Sequence, residues 1–151
     1  MRFMLIVKAS GFSEAGVNHS GEHIDSMMAY KKSLAKAGVL LASEELQPSS
    51  TGIRISYPSH GGEPEVQAGP FTLDHELIAE FTLIDVETED EALNWALRMP
   101  IPAGRGECEI ELRRLGENSD CQREPRIQAM EADLQDQLNM LRKIPGSALE
   151  V

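Results

Sequence analysis

The 151-residue chain is 41% hydrophobic and 26% charged. That is ordinary usage for one compact globular domain with an appended element, and it excludes a disordered, collagen-like or wholly coiled-coil chain. With 14 basic residues against 25 acidic ones the net charge is −11, a field that repels nucleic-acid phosphates and anionic membranes, so neither is expected as a partner.

Phe3 to Val7 is a short run, apolar on both parities, and reads as a central strand covered on both faces. It is also the longest candidate for a membrane segment, far below the roughly 18 apolar residues of a span. Residues 9–22 are polar, with Gly and Ser, and read as a loop. From His23 the period turns helical: Met27, Tyr30, Leu34 and Ala37 share one face. Gly38 stands where a left-handed residue ends a helix. Val39 to Leu46 is a second strand, closed by Gln47-Pro48-Ser49-Ser50. Ile53, Ile55 and Tyr57 alternate with Arg54 and Ser56, a half-exposed strand, and Glu63 to Ala68 returns as the other arm of a hairpin after Gly61-Gly62. Gly69-Pro70 opens a loop that runs to residue 78. Ala79 to Val86 is the next strand. Thr88 and Glu91 then form a capping box for a helix that buries Ala92, Trp95, Ala96 and Met99 and stops at Pro100. Cys108, Ile110 and Leu112 alternate with Glu109, Glu111 and Arg113 in a last strand. The glutamates 107, 109 and 111 read as its solvated face.

Without the hairpin the order is βαββαβ, so the expected fold class is α+β, ferredoxin-like with an inserted β-hairpin, over residues 1–115. Both helices of such a sheet lie on one face, and the other face must pack on something. A second copy is the expected cover, giving a homodimer with sheets face to face. Residues 116–151 form a polar linker and a C-terminal helix that begins near Pro125. Ile127, Met130, Leu134, Leu141 and Ile144 fit a 3–4 repeat broken at Gln137. This helix is expected to pack on the domain or on the dimer partner, with a docking role for another protein as the rival. Two cysteines, Cys108 and Cys121, cannot build a disulfide framework, and the N-terminus lacks the sections of a signal peptide, so a cytoplasmic location is expected.

The stretch Arg2-Phe3-Met4-Leu5-Ile6-Val7-Lys8-Ala9 resembles the YCII-related proteins of the DGPF type. So do Ala37 to Pro48, Gly69-Pro70-Phe71, Glu76-Leu77-Ile78-Ala79, Asp90 to Ala96 and Gly106 to Arg113, in that order. The resemblance runs from residue 1 to about 115. It implies a dimeric α/β barrel of ferredoxin-like subunits, and the terminal helix resembles a tail that one subgroup carries. Departures accompany it. Ala68 stands where the family's motif has an aspartate, His75 where a basic residue is usual, and Glu80 where a small residue is usual. More distant relatives carry a histidine and an aspartate held to be catalytic. Met27 occupies the histidine's place and the aspartate's falls near Met99, so that dyad is not carried over.

Several residue groups carry candidate chemistry. His19-Ser20-Gly21-Glu22-His23 fits the spacing of one class of zinc site. With Ser20 and Gly21 inside it, it reads instead as a loop entering a helix, and no metal is expected. His75 beside Glu76 can exchange protons near neutral pH, following the rigid Gly69-Pro70-Phe71 turn; the pair is either solvent-exposed or part of a pocket. Lys8 and Glu44 are charges in strand-like segments: they pair with each other, or Lys8 snorkels to solvent, or they line a polar cavity. The candidate ligand-binding residues are therefore Lys8, Glu44, Phe71, His75 and Glu76, with Lys8 offering a positive charge to an anionic small molecule. No nucleotide, triad or cofactor motif is present, and no cofactor is expected. Two classes of function stay open. One is a small-molecule-binding protein or enzyme using a cleft at the barrel. The other is a non-catalytic dimeric regulatory module associated with transcription proteins.

Overall fold

A computed structural model describes residues 1–74, 76–117 and 125–143. The chain divides into two compact units, residues 1–115 and 116–151. In chain order the elements are β1 (Arg2–Lys8), α1 (Gly11–Glu14), α2 (Gly21–Lys36), β2 (Leu40–Glu45), a 3-10 turn (Ser49–Thr51), β3 (Ile53–Ser56), β4 (Glu65–Ala68), β5 (Ile78–Asp85), α3 (Glu89–Leu97), β6 (Ile110–Arg114) and α4 (Pro125–Lys143). None of the described helices is long and apolar enough to cross a membrane.

The main sheet has the order β2-β5-β1-β6 with antiparallel neighbours throughout, and β3-β4 form a separate hairpin. The architecture is α+β and compatible with a ferredoxin-like fold. Alternation sorts the strand residues between two faces. Phe3, Leu5 and Ile84 face the helices and join Met27, Tyr30 and Leu34 of α2 and Ala92, Trp95 and Met99 of the α3 segment in one core. The Tyr30 hydroxyl donates to the Trp95 carbonyl at 2.6 Å, and the two rings meet edge to face at 6.2 Å. Burial pushes the Tyr30 phenol up to about 12.

The other face carries no helix of this unit. Its residues form two rows across the strands, Glu44–Phe81–Ile6–Glu111 and Ala42–Leu83–Met4–Arg113. Apolar side chains occupy the middle of both rows. The expected Lys8–Glu44 pair is not formed. Strand β5 lies between β1 and β2, which puts them about 10 Å apart. Lys8 Nζ instead meets Glu111 Oε2 at 2.7 Å, and Arg113 joins the same carboxylate at 3.1 Å. Glu111 is thus engaged by two cations rather than simply solvated, and both hold its carboxyl below the usual range.

Local signals explain the element ends. At the end of α2 the Gly38 N–H reaches the Ala35 carbonyl and the Val39 N–H the Leu34 carbonyl, with Gly38 at φ 75°, which is a Schellman stop. Thr88 Oγ1 accepts from the Glu91 N–H, while the Glu91 carboxylate accepts from the Glu87 N–H, one residue before the expected box partner. The loop expected over residues 9–22 contains the one-turn α1, because Ser10 and Ser13 cap it reciprocally. Helix α4 has 19 residues, and Leu138 continues the row of Met130, Leu134 and Leu141 past Gln137. Ile144 and Cys121 lie outside the described residues.

The hairpin base is fastened by backbone. The Gly69 N–H donates to the Gly52 carbonyl at 2.9 Å. A Cβ on Gly69 would lie 1.8 Å from the Ser49 carbonyl oxygen. The position therefore demands glycine for space, with no φ argument needed. Gly69→Ala should lower stability by about 1–3 kcal/mol through forced backbone displacement. The control Gly21→Ala, where an added Cβ meets nothing within 4 Å, should be neutral or stabilising in the first turn of α2. Denaturant melts of both variants against wild type check this.

Candidate functional site

A cavity of about 660 Å³ opens where the N-terminal half of α2, helix α1 and the segment after α3 meet the ends of the sheet strands. Val7, Ile24, Met27, Leu46, Met99 and Ile110 supply much of its apolar wall. Set among them are His19, His23, Glu45, Glu80, Arg105 and Cys108. A second void of about 130 Å³ shares His19, His23, Ile24, Met27, Glu45 and Glu80 with the first and adds Lys31 and Met28. These six shared residues form a partition between the two spaces.

The partition is built by local rules. Ser20 caps α2 by accepting from the His23 N–H at 3.2 Å, as the sequence reading of this segment expects. That cap sets His23 in the first turn and His19 just before it, with ring centroids 4.5 Å apart. Glu80 stands on the helix-facing parity of β5, opposite Val7 on one side and Glu45 on the other. Lys31 Nζ approaches Glu80 Oε1 at 3.6 Å, an ion pair too long for a hydrogen bond. Glu80 Oε1 and His19 Nδ1 are both buried with no hydrogen-bond partner.

Burial pushes the Glu80 carboxyl up; the Glu45 charge adds to this and Lys31 opposes it. Burial also pushes the His23 imidazole down, helped by His19 and opposed by Glu80. Both shifts favour neutral forms, an imidazole able to accept a proton and a carboxyl more inclined to hold one. Burial raises the Cys108 thiol as well, which disfavours the thiolate. Among the described residues no three His, Cys, Asp or Glu side chains converge as a metal cage.

Arg105 is held at the cavity by backbone. Its guanidinium donates to the carbonyls of Val17 and Asn18 and lies 5.3 Å from the centroid of Phe12. Among the described residues no carboxylate lies within ion-pair distance of it.

The residues singled out from sequence are distributed differently. Lys8 is in the cavity wall, with its ammonium on Glu111. Glu44 stands on the opposite face of the sheet, in the row with Phe81. The Phe71 ring lies under the Arg54 guanidinium, 4.1 Å from its centroid, and the Phe71 N–H donates to Ser49 Oγ. Glu76 is exposed, its N–H on Asp74 Oδ1 at 2.8 Å. Glu44, Phe71 and Glu76 are not in the cavity wall, and His75 lies outside the described residues. The cavity gathers His19, His23, Glu80 and Arg105 instead. Three of the four left a trace in the sequence: His19 and His23 in their spacing, and Glu80 as a glutamate where the resemblance has a small residue. Met27, at the place of the distant relatives' histidine, and Met99, near that of their aspartate, are both in the cavity wall.

A protein-family model described as YCII-related domain matches residues 1–114. No curated protein matches the chain.

The raised Glu80 carboxyl has a consequence for stability. Its contribution is complete below the ordinary value of 4.5 and is lost as pH rises through the raised value. Glu80→Gln removes that loss. The melting temperature of the variant relative to wild type should therefore climb between pH 4 and pH 8. A difference that does not vary with pH would place Glu80 in a water-like setting.

Proposed function

The chain belongs to the YCII-related domain family, and on that premise we propose that it is a small-molecule-binding protein whose site is the cavity beside the start of α2. One observation carries the reading. Glu80 Oε1 and His19 Nδ1 are buried without a hydrogen-bond partner in the wall of a large, mainly apolar cavity. An unsatisfied buried polar atom costs about 1–3 kcal/mol, and a bound molecule with one donor and one acceptor removes that cost. Volumes of this size suit drug-sized or metabolite-sized ligands.

The chemistry that suits the site is proton transfer. His23 and Glu80 in one cavity wall are an imidazole and a carboxyl, the side-chain types that general acid–base chemistry uses. Nothing in this reading requires a metal or a bound cofactor. Ile24→Trp would fill the cavity from the partly exposed face of α2. In a thermal-shift screen of small metabolites, ligands should raise the melting temperature of wild type and lose that effect in the filled variant. Ligands that stabilise both proteins equally would sink the assignment.

The open sheet face supports a second copy as partner. Met4, Phe81 and Leu83 are half-buried on it, around an Ile6 that the chain itself already buries. The β3–β4 hairpin adds an apolar face of Ile53, Ile55, Val66 and Ala68, with Ile53 68% and Val66 65% exposed. A two-stranded hairpin with such a face is marginal alone. Burial between copies would cover both surfaces. Light scattering at micromolar concentration should give twice the 16.6 kDa chain mass, and Phe81→Lys should shift it to the monomer. A wild-type monomer would overturn the dimer.

A further inference from the structure

We infer that the ligand of this cavity is an apolar small molecule carrying a single carboxylate, and that Arg105 is its anchor. The inference rests on the cavity being a binding site and adds the chemical class. Each other cation at or beside the cavity is already neutralised: Lys8 meets Glu111 at 2.7 Å and Lys31 meets Glu80 at 3.6 Å. Arg105 alone lines the cavity with no carboxylate within ion-pair distance among the described residues. Its guanidinium is fixed by the carbonyls of Val17 and Asn18. Neutral carbonyls orient the group and leave its charge uncompensated. A planar guanidinium oriented in advance is the arrangement that receives a carboxylate with two hydrogen bonds.

The surroundings define the rest of the molecule. Val17, Met27, Met99, Pro100 and Pro102 offer it apolar contact. At the partition, His23 and Glu80 can meet one further polar group. The wall also holds Glu45 and Glu107, both exposed to solvent. Water screens such charges far more than it screens one at the edge of an apolar cavity, but together they disfavour a second negative charge. In a protein of net charge −11, a local cation is what lets an anion enter at all.

Calorimetric titration with 4-phenylbutyrate, 4-phenylbutanamide and 4-phenylbutylamine tests this, because the three share one apolar body and differ in head group. The acid should bind wild type about tenfold or more tightly than the amide, as expected for a charge-assisted contact, with the amine weakest. Arg105→Gln should abolish the preference for the acid over the amide, while Arg105→Lys should retain part of it. If the amide binds as well as the acid, and Ile24→Trp removes both, the cavity is a binding site and the carboxylate class is wrong. If the amine binds tightest, the glutamates govern the cavity and Arg105 is not the anchor. If none of the three binds at millimolar concentration, the inference falls, and ligands from the metabolite screen then decide the site itself. The head-group comparison on wild type stands even if the Arg105 variants fail to fold.

Discussion

The hydrogen bond from the Tyr30 hydroxyl to the Trp95 carbonyl fixes how the two long helices of the first unit share one sheet face. Trp95 is in the last turn of α3, and its carbonyl accepts both from the C-cap Arg98 N–H at 3.2 Å and from the Tyr30 hydroxyl. The buried tyrosine uses the carbonyl's second lone pair to lock α2 against α3 at that level. Toward the core side of this contact the packing is complete, with Leu5, Leu34, Ile84 and Ala92 fully buried. Met27, one turn before Tyr30 on α2, and Met99, just past α3, are still in the core and already in the cavity wall. Beyond them the partner of α2 is no longer a helix but the Pro100–Arg105 segment, whose prolines cannot continue one. The cavity is the space that this change of partner leaves.

The same transition is written along β5. On its helix-facing side come Ile84, then Thr82, then Glu80. Ile84 is in the core. Thr82 is equally buried, and its hydroxyl is satisfied by Ser43 across the strand pair at 3.1 Å. Glu80, two residues on, has only the longer ion pair to Lys31, on an oxygen that lacks a hydrogen bond. Apolar, satisfied polar and unsatisfied polar thus follow one another at the period of the strand. Such a graded wall stabilises the fold at one end and leaves binding capacity at the other.

Local chemistry was legible in the sequence, and pairings between distant segments were not. Gly38, Thr88 and Ser20 act where their residue types say they should, because caps depend on neighbours a few positions away. The strand and helix order follows from periodicity, and with it the α+β class. The ion pair of Lys8 was misread because charge pairing depends on strand order: Glu111 is on the adjacent strand and Glu44 is two strands away. The candidate site was hidden for the same reason. His23, Glu80 and Arg105 are brought to one cavity by three different segments, and no spacing within any one of them announces the others. Helix α1 was missed because a single turn capped by Ser10 and Ser13 has no apolar period to detect.

The Gly69-Pro70-Phe71 turn, which suggests a rigid pocket wall in the sequence, has another task in the structure. Ser49 is its receiver. Its Oγ accepts from the Phe71 N–H, while its own N–H and hydroxyl donate to the two carboxylate oxygens of Glu14. Gly69 approaches the Ser49 backbone so closely that no side chain fits. The chain from the hairpin base through Ser49 to Glu14 therefore ends on α1. That helix begins at the Ser10 cap, and Ser10 and Ser13 stand in the cavity wall beside Gln47 and Pro48. The turn contacts no part of the cavity itself and acts on it at one remove, by holding the short helix that closes one side. A one-turn helix has too few hydrogen bonds of its own to keep a fixed place. Its position, and hence the shape of the wall it contributes, is set by the carboxylate at its last residue.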